Sequence, residues 1–311
     1  MSYAGPEFEP PRRPRRRPLT VALAALVPGA LLGWVVYEGL GSATDDGRGG
    51  PESAAVRTPS ATGDAKEPGP SPTEPATSAP AAAPGGPGAL KGKVVVIDPG
   101  HNPANFRHTA EINAKVNIGT GYKECDTTGT ATNSGYTEAE FTLDVAHRMR
   151  TLLEKQGATV RLTQDGDRSY GPCIDERARI GNQAEADAVV SVHADGSGSG
   201  NRGFHVILPG AVNSGAADTR PIVGASRDLG ERIAGRFVRA TGSTPSNYVG
   251  DGTGLVTRKD LGGLNLSTVP KVFIECGNMR DTKDAAQLTS GAWRQKAAQG
   301  ISEGIVSFLR G

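Results

Sequence analysis

Val94-Val-Val-Ile-Asp-Pro-Gly-His101 is the stretch whose reading decides the fold. Its apolar start reads as a short buried strand. The strand runs out through Asp98, Pro99 and Gly100 and delivers His101 at its tip. Val189-Val-Ser-Val-His193 ends the same way, and Lys271-Val-Phe-Ile-Glu275 ends in an acid. In α/β proteins, ligands gather beyond the carboxyl ends of the strands. Strands that each end in His or Glu therefore point to a common site.

The flanking chain alternates strand and helix patterns. Strands are expected at Thr159–Thr163, Ala188–Val192, Gly203–Leu208 and Lys271–Ile274. Glu138–Gln156 reads as a helix with Phe141, Val145, Met149, Leu152 and Leu153 on its apolar face, and Gly157 as its stop. Ile174–Ala186, Ala225–Ala240 and Trp293–Leu309 read as further helices. This alternation implies an α/β fold over residues 90–311: a single domain with a largely parallel twisted sheet and helices on both faces. Residues 99–136 are long, polar and rich in Gly and Asn, which suits a functional loop.

The first 89 residues differ in kind. Residues 1–17 form a basic tail with five arginines between Pro11 and Arg17. The uncharged run from Pro18 to Tyr37 follows, with Trp34 and Tyr37 at its far end. Roughly 20 apolar residues are the length needed to cross a bilayer. Residues 18–40 are therefore expected as a transmembrane helix or signal anchor, with the arginines cytoplasmic and the rest extracytoplasmic. Gly41-Ser42-Ala43 would suit a signal peptidase, which leaves secretion after cleavage as the alternative. Residues 41–89, rich in Pro, Ala, Ser and Gly, lack the apolar content to fold and read as a disordered linker. The formal charge of the 311-residue chain is +1. No basic stripe with interleaved aromatics appears in the globular part, so no nucleic acid partner is expected.

His101 and His193 could be ordinary histidines, but each follows a buried-strand pattern and sits beside small or turn residues. Gly100 permits close backbone approach. Two imidazoles are half of a catalytic zinc site, which uses three protein ligands and keeps a fourth position for water. Glu138 and Glu140 open the first long helix and compete as the third ligand. Thr137 with Glu140 three residues later makes a capping box, which gives Glu140 a structural task and leaves Glu138 free. Glu275 ends an apolar run, where an acid is costly without a partner. It suits the carboxylate that moves protons without binding metal. His108 lacks such a setting, His147 looks solvated, and His205 sits within a strand, where it could line a pocket or pack.

Together, Ile97-Asp-Pro-Gly-His101, a Glu opening a helix, Ser191-Val-His-Ala-Asp195 and Phe273-Ile-Glu-Cys-Gly277 resemble the N-acetylmuramoyl-L-alanine amidases of the zinc-dependent amidase-3 family. The run from Leu162-Thr163 through Asp167 to Arg177 and Asn182 is similar too, as is Leu261-Gly-Gly-Leu-Asn-Leu-Ser-Thr-Val-Pro270. The resemblance covers about residues 92–310. It implies Zn2+ held by His101, Glu138 and His193, with Glu275 as the catalytic carboxylate. The spacing from Glu138 to Leu143 matches the family's ligand glutamate, which selects Glu138 over Glu140. It implies peptidoglycan as substrate, cut between N-acetylmuramic acid and L-alanine. A non-catalytic peptidoglycan-binding or regulatory domain on the same fold is the alternative, and a zinc carboxypeptidase acting on stem peptides a third. The expected partners are muropeptide and, through the N-terminal helix, the membrane; the chain is expected as a monomer. Arg258, Asn265 and Asp195 read first as turn or ion-pair residues, with substrate contact as their other reading.

Three cysteines are present, none in a C-x-x-C pair. In an oxidising compartment Cys125 and Cys173 are expected to form a disulfide that pins the 102–136 loop. Cys276 neighbours Glu275 on a strand, so it should face the other way and pack as a buried hydrophobe.

Overall fold

The structure, a computed structural model, describes residue 86 and residues 88–311. The tail, the membrane span and nearly all of the linker expected from the sequence lie outside the described residues. Among the described residues, no helix is long and apolar enough to cross a membrane.

The main sheet has six strands: β1 (Val94–Pro99), β4 (Thr159–Leu162), β5 (Ala188–Asp195), β6 (His205–Pro209), β9 (Leu255–Arg258) and β10 (Lys271–Asn278). Their order is β4-β1-β5-β10-β6-β9. The first four are parallel; β6 lies antiparallel to β10, and β9 parallel to β6. From β1 the chain crosses to β4 on one side, then to β5 on the other. The ends of β1 and β5 thus flank a topological switch point, where α/β sheets open a crevice.

Strand alternation gives the sheet two unlike faces. Val95 and Ile97 of β1, Val190 and Val192 of β5, and Val272 and Ile274 of β10 join one large core. Helices α2 (Glu138–Lys155), α4 (Val223–Thr241) and α7 (Gly291–Leu309) supply the other half of it. Phe141, Val145, Met149 and Leu153 of α2 are fully buried there, as the period predicts. Each such side chain contributes about 1.5–3 kcal/mol by leaving water. The opposite face is covered by α3 (Ile174–Gln183) and the short α5 (Gly262–Asn265). Its apolar cluster is small: Val96, Ala186 and Val189, with Val94, Ile180, Ala184 and Val269 packed against it.

Some boundaries depart from the sequence reading. The expected strand 203–208 is His205–Pro209 and runs antiparallel to β10. The edge strand β9 was not expected, because its four half-exposed residues form no apolar run. The helix expected to Ala186 stops at Gln183, and Glu185 turns the chain at φ 47°. Residues 99–136 are more ordered than a plain loop. They hold α1 (Thr109–Ile112) and a hairpin of β2 (Lys115–Asn117) and β3 (Tyr122–Glu124). The Cys125–Cys173 disulfide ties this segment to the start of α3, as expected. Cys276 is a buried free thiol on the core face.

Candidate metal centre

Three side chains meet beyond the switch point. His101 follows β1 in the left-handed region, at φ 63°. That conformation is costly for a residue with a side chain and persists only where surroundings hold it. His193 lies in β5, and Glu138 is the first residue of α2. His101 Nε2 is 3.1 Å from Glu138 Oε2, and His193 Nδ1 is 2.9 Å from Glu138 Oε1. One donor atom from each residue lies within 4.8 Å of the others. The two imidazoles stand edge to face, 5.1 Å between centroids. Two glycines make this approach possible. A Cβ on Gly100 would come within 2.3 Å of the His193 ring. One on Gly129, at φ 72°, would collide with the His101 ring and Glu138 Oε2.

The helix start assigns the two competing glutamates. Thr137 caps α2, and its side chain and that of Glu140 close a reciprocal capping box. Glu140 is thereby occupied at the surface. Glu138 turns inward and is buried; Oε2 accepts from Thr130 N–H and Oε1 from Ala194 N–H.

Burial alone would lower the His101 pKa, but the carboxylates of Glu138 and Asp126 outweigh it and push it up to about 10. The same contacts hold Glu138 well below the usual carboxylate range, against burial. The trio therefore attracts positive charge. Two imidazoles and one carboxylate are also the donor set of a catalytic site with an open position. The residues fit a metal ion.

Glu275 sits one strand away, paired in register with His193 across β5 and β10. Residue parity puts it on the same face. It lines the cleft that holds His101, Glu138 and His193, with Asp195 and Arg258 on the same wall. Its Oε2 is buried without a hydrogen-bond partner. Burial first, then Glu138 and Asp195, push its pKa well above the ordinary value, with His101 and then Arg258 opposing.

The family model for N-acetylmuramoyl-L-alanine amidase matches residues 95–307. The chain belongs to the N-acetylmuramoyl-L-alanine amidase family. It is 40% identical over 224 residues to the amidase Rv3717 of Mycobacterium tuberculosis, covering 72% of this chain and 89% of that one. The crystal structure of Ami1 from Mycobacterium smegmatis is 38% identical with a TM-score of 0.65, covering 71% of this chain and 98% of Ami1. Ami1 from Mycobacterium abscessus, in its apo form, is 41% identical with a TM-score of 0.64, covering 71% of this chain and all of that one. Membership makes the protein a metal-dependent, extracytoplasmic enzyme that cuts the muramoyl–alanine amide of peptidoglycan.

The amidase brings together all four residues the sequence singled out. Of the other histidines, His147 is exposed and pairs with Asp165. His108 contacts Glu111 at the surface. His205 is buried beneath Tyr248, outside the trio. Asn265 is buried and donates to the Lys259 carbonyl and to Thr120, which is a turn-holding task. Asp195 accepts a 2.6 Å hydrogen bond from the Tyr248 hydroxyl. Arg258 forks onto Asp260 at the rim of the cleft.

Sequence reading missed a buried charged layer directly beneath the trio. Asp98 accepts from Arg177, Thr163, Ser191 and Lys271. Burial opposes its charge, but Lys271 and Arg177 hold its carboxyl far below the usual range. Asp98 and Lys271 were detectable, since a charge inside an apolar strand run demands a partner. Asp126 carried no such signal.

Proposed function

We propose that this amidase hydrolyses the bond between N-acetylmuramic acid and L-alanine at a Zn2+ ion held by His101, Glu138 and His193, with Glu275 carrying the proton. The observation that supports this most is the convergence of the trio beside a carboxylate with one buried, unpartnered oxygen. When bound, zinc supplies a Lewis acid that polarises the scissile carbonyl and acidifies water. Glu275, on the wall of the cleft beside the trio, accepts a proton from the attacking water. It then passes that proton to the departing L-alanine amine, so that the leaving group is neutral. Gly100 and Gly129 keep the rings close enough for both imidazoles to act on one ion.

The same reading puts residues 18–40 in the membrane as an anchor and 41–89 as the tether that gives the catalytic domain reach into the wall. The composition of both stretches supports it.

Digestion of muropeptides by the zinc-loaded chain, read by mass spectrometry, tests the proposal. Intact stem peptide with a free L-alanine amine is the expected product. Release of D-alanine would make it a carboxypeptidase, and binding without cleavage would leave a wall-binding domain. Glu138→Gln should abolish zinc binding, whereas Glu140→Gln should keep it; the reverse would overturn the ligand assignment.

A further inference from the structure

We infer that Asp126 is a positioning residue for the first metal ligand, and that the Cys125–Cys173 disulfide exists to hold it there. The inference rests on the proposed role of His101. His101 has two ring nitrogens with different surroundings. Nε2 faces Glu138, on the side of the metal trio. Nδ1 faces away, 3.1 Å from the Thr127 carbonyl and 3.3 Å from Asp126 Oδ1. A ligand imidazole whose far nitrogen donates to a carbonyl or carboxylate is fixed in one tautomer and one orientation.

Asp126 Oδ1 faces the ring directly and also accepts the Thr127 N–H at 2.8 Å, which holds the backbone one peptide before the Thr127 carbonyl. Asn105, which donates to Asp126 Oδ2, also donates to that carbonyl at 2.7 Å. Its Oδ2 is held in turn by Arg177 at 3.0 Å and Asn105 at 3.1 Å. Arg177 is buried and reaches the same histidine from the backbone side. It donates to the carbonyls of Pro99 at 2.6 Å and His101 at 3.1 Å. One guanidinium thus links the backbone that presents His101 to the carboxylate that orients its ring.

The disulfide joins the two segments that do this. Cys125 immediately precedes Asp126, and Cys173 caps the helix that carries Arg177. The Ile174 N–H also donates to the Cys125 carbonyl at 2.7 Å. Asp126 lies within the polar segment 99–136, where few apolar side chains would hold it otherwise. The covalent tie replaces that missing packing at the point where the metal ligand needs it.

Zinc titration of the full chain against a chromophoric chelator tests this, at a temperature where every variant is folded. Asp126→Asn should weaken zinc affinity by about 10- to 100-fold. It should also remove the low-field proton resonance of the hydrogen-bonded His101 Nδ1–H in the zinc-loaded protein. A merely structural Asp126 would lower the thermal midpoint yet leave both readouts intact, and that result overturns the inference. Cys125→Ser/Cys173→Ser should weaken zinc binding at least as much; unchanged affinity would remove the disulfide from the argument. His101→Ala separates the two levels. Unchanged zinc affinity there would sink the proposed ligand set itself. Loss in His101→Ala with none in Asp126→Asn would sink only the role of Asp126.

Discussion

The two faces of the sheet are built from the same three strands and do opposite things. On one, Val95, Val190 and Val272 meet three amphipathic helices in a continuous apolar core. On the other, the alternate positions of those strands carry Asp98, His193, Lys271 and Glu275. The first face holds the fold together and could exchange one hydrophobe for another of similar volume. The second buries charges that are useful only in one arrangement. A strand period of two lets a single stretch of chain serve both purposes. Changes on the two faces should therefore separate activity from stability.

Glu275→Gln is the sharpest way to break that comparison. It removes the proposed proton carrier and keeps the shape, so kcat should fall by about 10²- to 10⁴-fold. Stability should hold or rise, because a carboxylate oxygen buried without a partner is costly to fold around. Retained turnover, measured with zinc shown to be bound, would remove Glu275 from the mechanism.

Lys271→Ala comes next. Lys271 is fully buried, and its Nζ lies 3.1 Å from Asp98. Removing one partner of a buried pair costs about 3–5 kcal/mol, because the other charge stays behind. Chemical denaturation should show that loss. A loss below about 1 kcal/mol would mean that Arg177, Thr163 and Ser191 already satisfy Asp98 alone. On the apolar face, Ile233→Ala should cost about 2–5 kcal/mol through the cavity it leaves. Its zinc affinity and kcat per folded molecule should match the unaltered chain. A changed kcat would show that the two faces are coupled through the strands.

The apolar face was legible in the sequence because hydrophobic period is its only content. Phe141, Val145, Met149 and Leu153 announced both the helix and its inward side. The site was legible for a second reason. His101, His193 and Glu275 each interrupt or end an apolar run, and such placement is visible without knowing the fold. The capping box at Thr137 and Glu140 favoured Glu138 as the glutamate that turns inward, and the structure shows it buried. What stayed hidden depends on distant partners. Lys271 heads an apolar run and so demands a partner, but nothing local names Asp98, in a strand far away in sequence, as that partner. Asp126 sits in a segment with no period, so nothing local links it to His101. The edge strand Leu255–Arg258 was missed for a related reason: largely half-exposed and preceded by glycines, it is a strand only because β6 offers it a partner.

Acid titration of the metal-free chain gives the smallest effect and bears on the same contrast. Burial would raise the Asp126 pKa, but Arg177 above all, and His101 with it, hold the group at about 2 against a reference of 3.8. A carboxyl depressed on folding stabilises the native state above its unfolded pKa, and that contribution vanishes as pH falls through the folded value. For Asp126 it amounts to about 2 kcal/mol, lost between about pH 4 and pH 2. In Asp126→Asn that group no longer titrates. The stability gap between the unaltered chain and Asp126→Asn should therefore narrow across this window. The corresponding gap for Ile233→Ala should stay flat, since the alkyl group lost from the apolar face binds no proton. Denaturation midpoints in the presence of a chelator, taken at several pH values, would show it. Parallel curves for both variants would mean that Asp126 is not held ionised by its partners, and that the charged layer beneath the trio is looser than its distances indicate.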